Sequence, residues 1–143
     1  MSPEANPSDR IRNELRLVTR ELEVIRKLNT VRQARELDAV ELRAAASSLH
    51  AVYNGLERCF LAALRARNVE VQSDGDWHNT LLKRAEETGI ASKDLIEKVR
   101  ELMGFRHFYR HAYGFMLDGD LMAPLLDTVA DVVEDVRQKL GVT

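Results

Sequence analysis

The chain has 143 residues, enough for one domain with its own core, and a composition 45% hydrophobic and 31% charged excludes a disordered polymer. The formal charge of −2 excludes a protein that coats nucleic acid through bulk positive charge, while leaving room for a local cationic cleft. Of the 21 basic residues, 16 are arginines and five are lysines, a bias that suits planar, two-oxygen contacts to phosphate but equally reflects arginine-rich codon usage.

Cys59 is the lone cysteine, so no disulfide framework can form within the chain, and a reducing compartment is expected. No segment approaches the ~18 consecutive apolar residues of a membrane span. The first residues lack the basic-then-apolar order of a signal peptide. Together these features place the chain in the cytoplasm, with no membrane association. Residues 1–7 are expected as a loose polar tail, with one helical domain over 8–143.

In chain order, Ser8 or Asp9 is the expected cap of a first helix, whose apolar row is Ile11, Leu15, Val18, Leu22 and Ile25, extended by Leu28 and Val31. Arg12, Arg16 and Arg20 run along another face among Glu14, Glu21 and Glu23, the pattern of a solvated salt-bridge surface. A second helix is expected over 33–67 with little break, its apolar face built from Leu37, Val40, Ala44, Leu49, Val52, Leu56, Phe60 and Leu64. Two long helices in succession imply antiparallel packing. The Ser73–Asp76 turn cluster leads to a short third helix over 77–87, closed at Gly89 in a left-handed conformation. Ser92 caps a fourth helix through Leu95, Ile96, Val99, Leu102 and Met103. A fifth runs over about 121–140, with Pro124 in its first turn. The fold class is therefore all-α, a bundle of about five helices.

The fourth helix ends in the densest chemistry of the chain. Two histidines, two arginines and two tyrosines lie between Arg106 and Tyr113. At ~100° per residue, Arg106 and Tyr113 project within ~20° of each other, on the row Leu95, Val99, Leu102, Arg106, Tyr109, Tyr113. That row turns from apolar to polar at Arg106, so the cation is expected to be partly buried and to need an anion or acceptor. His111 lies ~140° around the axis from Arg106. The two converge only if the helix distorts near Gly114 or a second copy of the chain contributes its own fourth helix.

Arg106, four residues, His111, one residue and Tyr113 resemble the R-x4-H-x-Y motif of HepT toxins in the HEPN superfamily. The segments Tyr53-Asn54-Gly55-Leu56-Glu57 and Gly75-Asp76-Trp77-His78-Asn79-Thr80-Leu81-Leu82 also look like a HepT-like subfamily, so the resemblance covers about residues 40–140. It implies a metal-independent endoribonuclease without a cofactor, working as a homodimer in a toxin–antitoxin system of type II or VII kind. Arg106 and His111 would be the catalytic pair and His107 its support, with Arg110 orienting the RNA backbone. The chemistry agrees: RNA carries its own 2′-hydroxyl nucleophile, histidine exchanges protons near neutral pH, and arginine stabilises charge on phosphorus. The resemblance also implies a minimal nucleotidyltransferase antitoxin that adds AMP to Tyr113.

Other readings stand beside this one. Arg106 could be a structural cation paired with Glu57, Glu101 or Asp118, and His111 a helix-end cap. His107 and His111 have metal-ligand spacing, with His78 free, but no third ligand is evident. Trp77-His78 reads as a packing lid, and His50 as a helix residue without a partner. The alternative function is a non-catalytic helical module that binds a nucleotidyltransferase or a nucleotide.

Overall fold

A computed structural model describes residues 6–72, 75–111 and 117–141. These form five helices and no strand: α1 (Pro7–Arg32), α2 (Ala39–Ala66), α3 (Trp77–Glu87), α4 (Lys93–His111) and α5 (Gly119–Lys139). The all-α bundle is thus as expected. None of these helices is long and apolar enough to cross a membrane.

The α2 helix is the axis of the bundle, touching all four others. Its most extensive partner is α1. Cys59 meets Ile11, Gly55 meets Val18, and Ser48 donates to Glu21 at 2.9 Å, a descending register that makes the pair antiparallel. Gly55 makes this approach possible, because a methyl there would come 2.4 Å from Val18 Cγ2. The α5 helix closes against α1, where Asn29 donates to the Leu126 carbonyl at 3.0 Å and Arg32 pairs with Asp127 at 2.9 Å. The core is made of Leu15, Leu49, Val52, Leu56, Phe60 and Leu64 from the long pair, with Leu81, Leu95, Val99, Met122 and Val133 from the others. Removing such side chains from water is the main drive to this arrangement.

Four local expectations need correction. The α1 helix is capped by Asn6, whose Oδ1 accepts from the Asp9 amide at 2.9 Å, with Pro7 in the first turn. Asn6 can therefore cap ahead of Ser8 because proline needs no amide partner there. The α2 helix starts at Ala39, not near Gln33. Asp38 and Glu41 form a reciprocal capping box, and Arg35 binds both oxygens of Glu41, at 2.8 and 2.9 Å. Those bonds hold the Glu41 carboxyl down at about 2, with the Asp38 amide also contributing. Val40 is 74% exposed. It lies nine residues before Leu49, ~180° away around the helix. Lastly, α5 begins at the Asp118 cap, so Pro124 stands inside the helix rather than in its first turn.

Ser92 Oγ does cap α4, accepting from Leu95 at 3.1 Å, and Gly89 adopts φ +77°.

Candidate functional site

The site lies where the last two turns of α4 cross the middle of α2. Phe105 is buried, and Phe108 and Tyr109 are partly buried against the core. These three rings seat the end of α4 on the bundle, with Phe105 stacked on Tyr109 at 6.1 Å. Arg106, between them, is half-buried and turned to α2. Its Nε donates to Asn54 Oδ1 at 3.3 Å. Among the described residues Arg106 has no ion pair, so the expected alternatives of Glu57 and Asp118 as its partner are not seen, and Glu101 is exposed.

Asn54 also reaches back along its own helix, with Nδ2 3.1 Å from His50 Nε2. The His50 ring packs on Tyr109, centroids 5.1 Å apart. His50 therefore has partners, contrary to expectation, although its Nδ1 is buried without one among the described residues. Burial lowers the affinity of His50 for a proton, and the positive charges of Arg106 and Arg110 lower it further.

One turn on, Glu57 is 5% exposed, a buried acid inside α2. Tyr53 Oη donates to its Oε2 at 2.6 Å, and His78 Nδ1 contacts the same oxygen. Burial, then the bond to Glu57, pushes the Tyr53 phenol well above its ordinary value. The Trp77 ring covers His78 at 4.2 Å, and Arg100 donates to Asn79 at 2.8 Å. His78 is thus engaged in tying α3 to α2. Among the described residues, no group of three or more histidine, cysteine, aspartate or glutamate side chains could hold a metal ion.

The remaining motif residues face outward. His107, Arg110 and His111 are exposed, and the two imidazoles are in ring contact at 4.7 Å. The structure thus brings Arg106 to Asn54 and His107 to His111. Among the described residues, no hydrogen bond or ring contact joins the two pairs. Tyr113 lies outside the described residues.

Sequence reasoning missed His50 and Asn54 as neighbours of Arg106. Their signal was present: His50, Asn54 and Glu57, at steps of four and three, put a polar row on a helix that is otherwise largely apolar on its inner side.

These features define an all-α bundle whose fourth helix carries an arginine at a helix crossing and a pair of exposed imidazoles beside it. The family model described as HepT-like protein matches residues 44–142, from the first turns of α2 to beyond α5. The chain belongs to this HepT-like family of the HEPN superfamily. No curated protein and no solved structure matches it.

Proposed function

We propose that the protein is a metal-independent endoribonuclease that acts as a homodimer in the cytoplasm. The observation that carries this reading is the state of Arg106. It is half-buried, held through Nε by a neutral amide, and has no ion-pair partner among the described residues. A guanidinium so placed keeps its charge for an incoming anion, and fixed donors in a partly dehydrated site stabilise a phosphorane better than water does. Family membership supports the choice of substrate class.

In the proposed reaction the RNA 2′-oxygen attacks phosphorus. The 2′-O–P bond forms and the P–O5′ bond breaks. One imidazole takes the 2′ proton, and a protonated imidazole returns one to the leaving 5′ oxygen, giving a cyclic 2′,3′-phosphate. Arg106 points into the bundle and His111 away from it, which supports assembly of the site from two α4 ends across a dimer axis. His111 would then move protons, His107 would support it, and Arg110 would hold the RNA backbone. A nucleotidyltransferase partner would silence the enzyme by adding AMP to Tyr113, whose phosphates would repel RNA.

The test is cleavage of a fluorescent RNA by purified protein in EDTA, beside an all-deoxy oligonucleotide. The expected result is cleavage of RNA only, with loss on the order of 10²-fold or more in Arg106→Ala and His111→Ala. Equal cleavage by those variants, or none by the wild type, overturns the reading. A protein that binds a nucleotidyltransferase without cutting RNA would instead be a binding module.

A further inference from the structure

We infer that His50 and Asn54 form a clamp that aims Arg106, and that this clamp holds only while His50 is uncharged with its proton on Nδ1. Arginine Nε can only donate, so the Asn54 atom facing it at 3.3 Å must be the carbonyl oxygen. The amide is planar, so its NH2 faces the other way, to His50 Nε2 at 3.1 Å. An NH2 group only donates. His50 Nε2 must therefore carry the lone pair, and the ring proton sits on Nδ1. The Arg106 donor thus fixes the direction of the amide.

His50 Nδ1 is buried and has no hydrogen-bond partner among the described residues, so the Asn54 contact at Nε2 alone selects the tautomer and leaves the Nδ1 proton without an acceptor there. A doubly protonated ring would set an Nε2–H against the amide NH2 and add a positive charge beside Arg106 and Arg110. The groups around the ring are Arg106, Tyr109 and Arg110 from α4 and Glu57 from α2 itself. Across a cavity of about 290 Å³ stand Glu14 and Glu21 of α1. Glu14 is paired with the Arg58 cation at 3.5 Å, and the Glu21 carboxylate accepts from the Ser48 hydroxyl at 2.9 Å. Burial and the two arginines disfavour the charged ring, against the smaller opposing pull of Glu57. His50 and Asn54 are positioning residues, since they act through Arg106.

The activity arm of the test rests on the endoribonuclease reading, whereas the spectroscopic arm does not. Nitrogen-15 NMR of the imidazoles should show His50 as a single tautomer, protonated at Nδ1, titrating below the ordinary histidine range. Asn54→Asp, which puts a carboxylate against Nε2, should move that titration upward and place a proton on Nε2. In the cleavage assay Asn54→Ala should lower kcat on the order of 10- to 100-fold with little change in KM, the signature of a misplaced Arg106. His50→Ala should also lose activity. His50→Gln, whose side-chain oxygen can accept from Asn54, should recover much of it and lose the acid sensitivity that His50 contributes. A His50 proton on Nε2 in the wild type overturns the clamp, even if Asn54→Ala fails to fold. So does full kcat in folded Asn54→Ala. If the wild type cuts no RNA but His50 shows the Nδ1 tautomer, the clamp stands and the catalytic reading falls.

Discussion

Gly55→Ala is the substitution whose cost can be worked most directly from the structure. The new methyl would sit 2.4 Å from Val18 Cγ2. Ordinary carbon contacts lie near ~3.5–4.0 Å, so the helices must part or Val18 must turn by about 1 Å. Val18 cannot turn cheaply. It is 2% exposed, and a β-branched side chain in a helix has essentially one χ1 rotamer. Overpacking of this kind costs about 1–3 kcal/mol. Against it stands the better helix propensity of alanine, about 1 kcal/mol. With both partners in helix interiors the upper part of the penalty applies, leaving a net loss of about 1–2 kcal/mol. For a chain of this length that is roughly 3–8 °C in Tm. The assay is urea unfolding followed by circular dichroism, with the slope m unchanged and the midpoint lowered. Val18→Ala alone should cost about 2 kcal/mol through lost burial and cavity. The double variant should be about 1–2 kcal/mol more stable than the sum of the two, because alanine 55 fills the space that Val18 vacates. A Gly55→Ala protein as stable as the wild type, or strictly additive effects, would refute the close-approach argument.

Three further outcomes follow from buried groups. Burial, with help from Glu14, pushes the Cys59 thiol up to about 12, so native protein at pH 8 should resist a thiol reagent and react only as fast as it opens; rapid stoichiometric labelling would contradict this. Tyr53→Phe removes a donor from the buried Glu57 carboxyl and should cost about 1–3 kcal/mol, measured by urea unfolding. His50 is depressed in the fold, so below the unfolded value of about 6.5 the unfolded chain binds a proton that the native ring refuses. Stability is therefore fully present above that pH and is lost as pH falls through the folded value. Unfolding midpoints taken from pH 7.5 to 5.5 should fall more steeply in the wild type than in His50→Gln.

The bundle was legible because each helix announces itself by an apolar row at helical spacing, and burial of that row is what packs it. Leu15, Leu49, Leu56, Phe60, Val99 and Val133 are all core positions that periodicity alone identifies. Helix ends were less legible because caps compete. Asn6, Ser8 and Asp9 are all good caps, and only the added fit of Pro7 behind Asn6 decides among them. The crossing of α2 and α4 was least legible, since its hydrogen bonds join residues 52 apart, and a polar row on α2 does not name its partner. The same crossing gives a physical sense to the motif's spacing. A separation of five residues places arginine and histidine ~140° apart, so one faces the bundle and the other solvent. The arginine is thereby held by the chain's own scaffold, through Asn54, while the imidazoles remain available to whatever docks against the exposed end of α4. A motif that had to close its site within one chain would be better served by a spacing of four. The spacing of five suits a residue pair divided between a fixed half and a presented half.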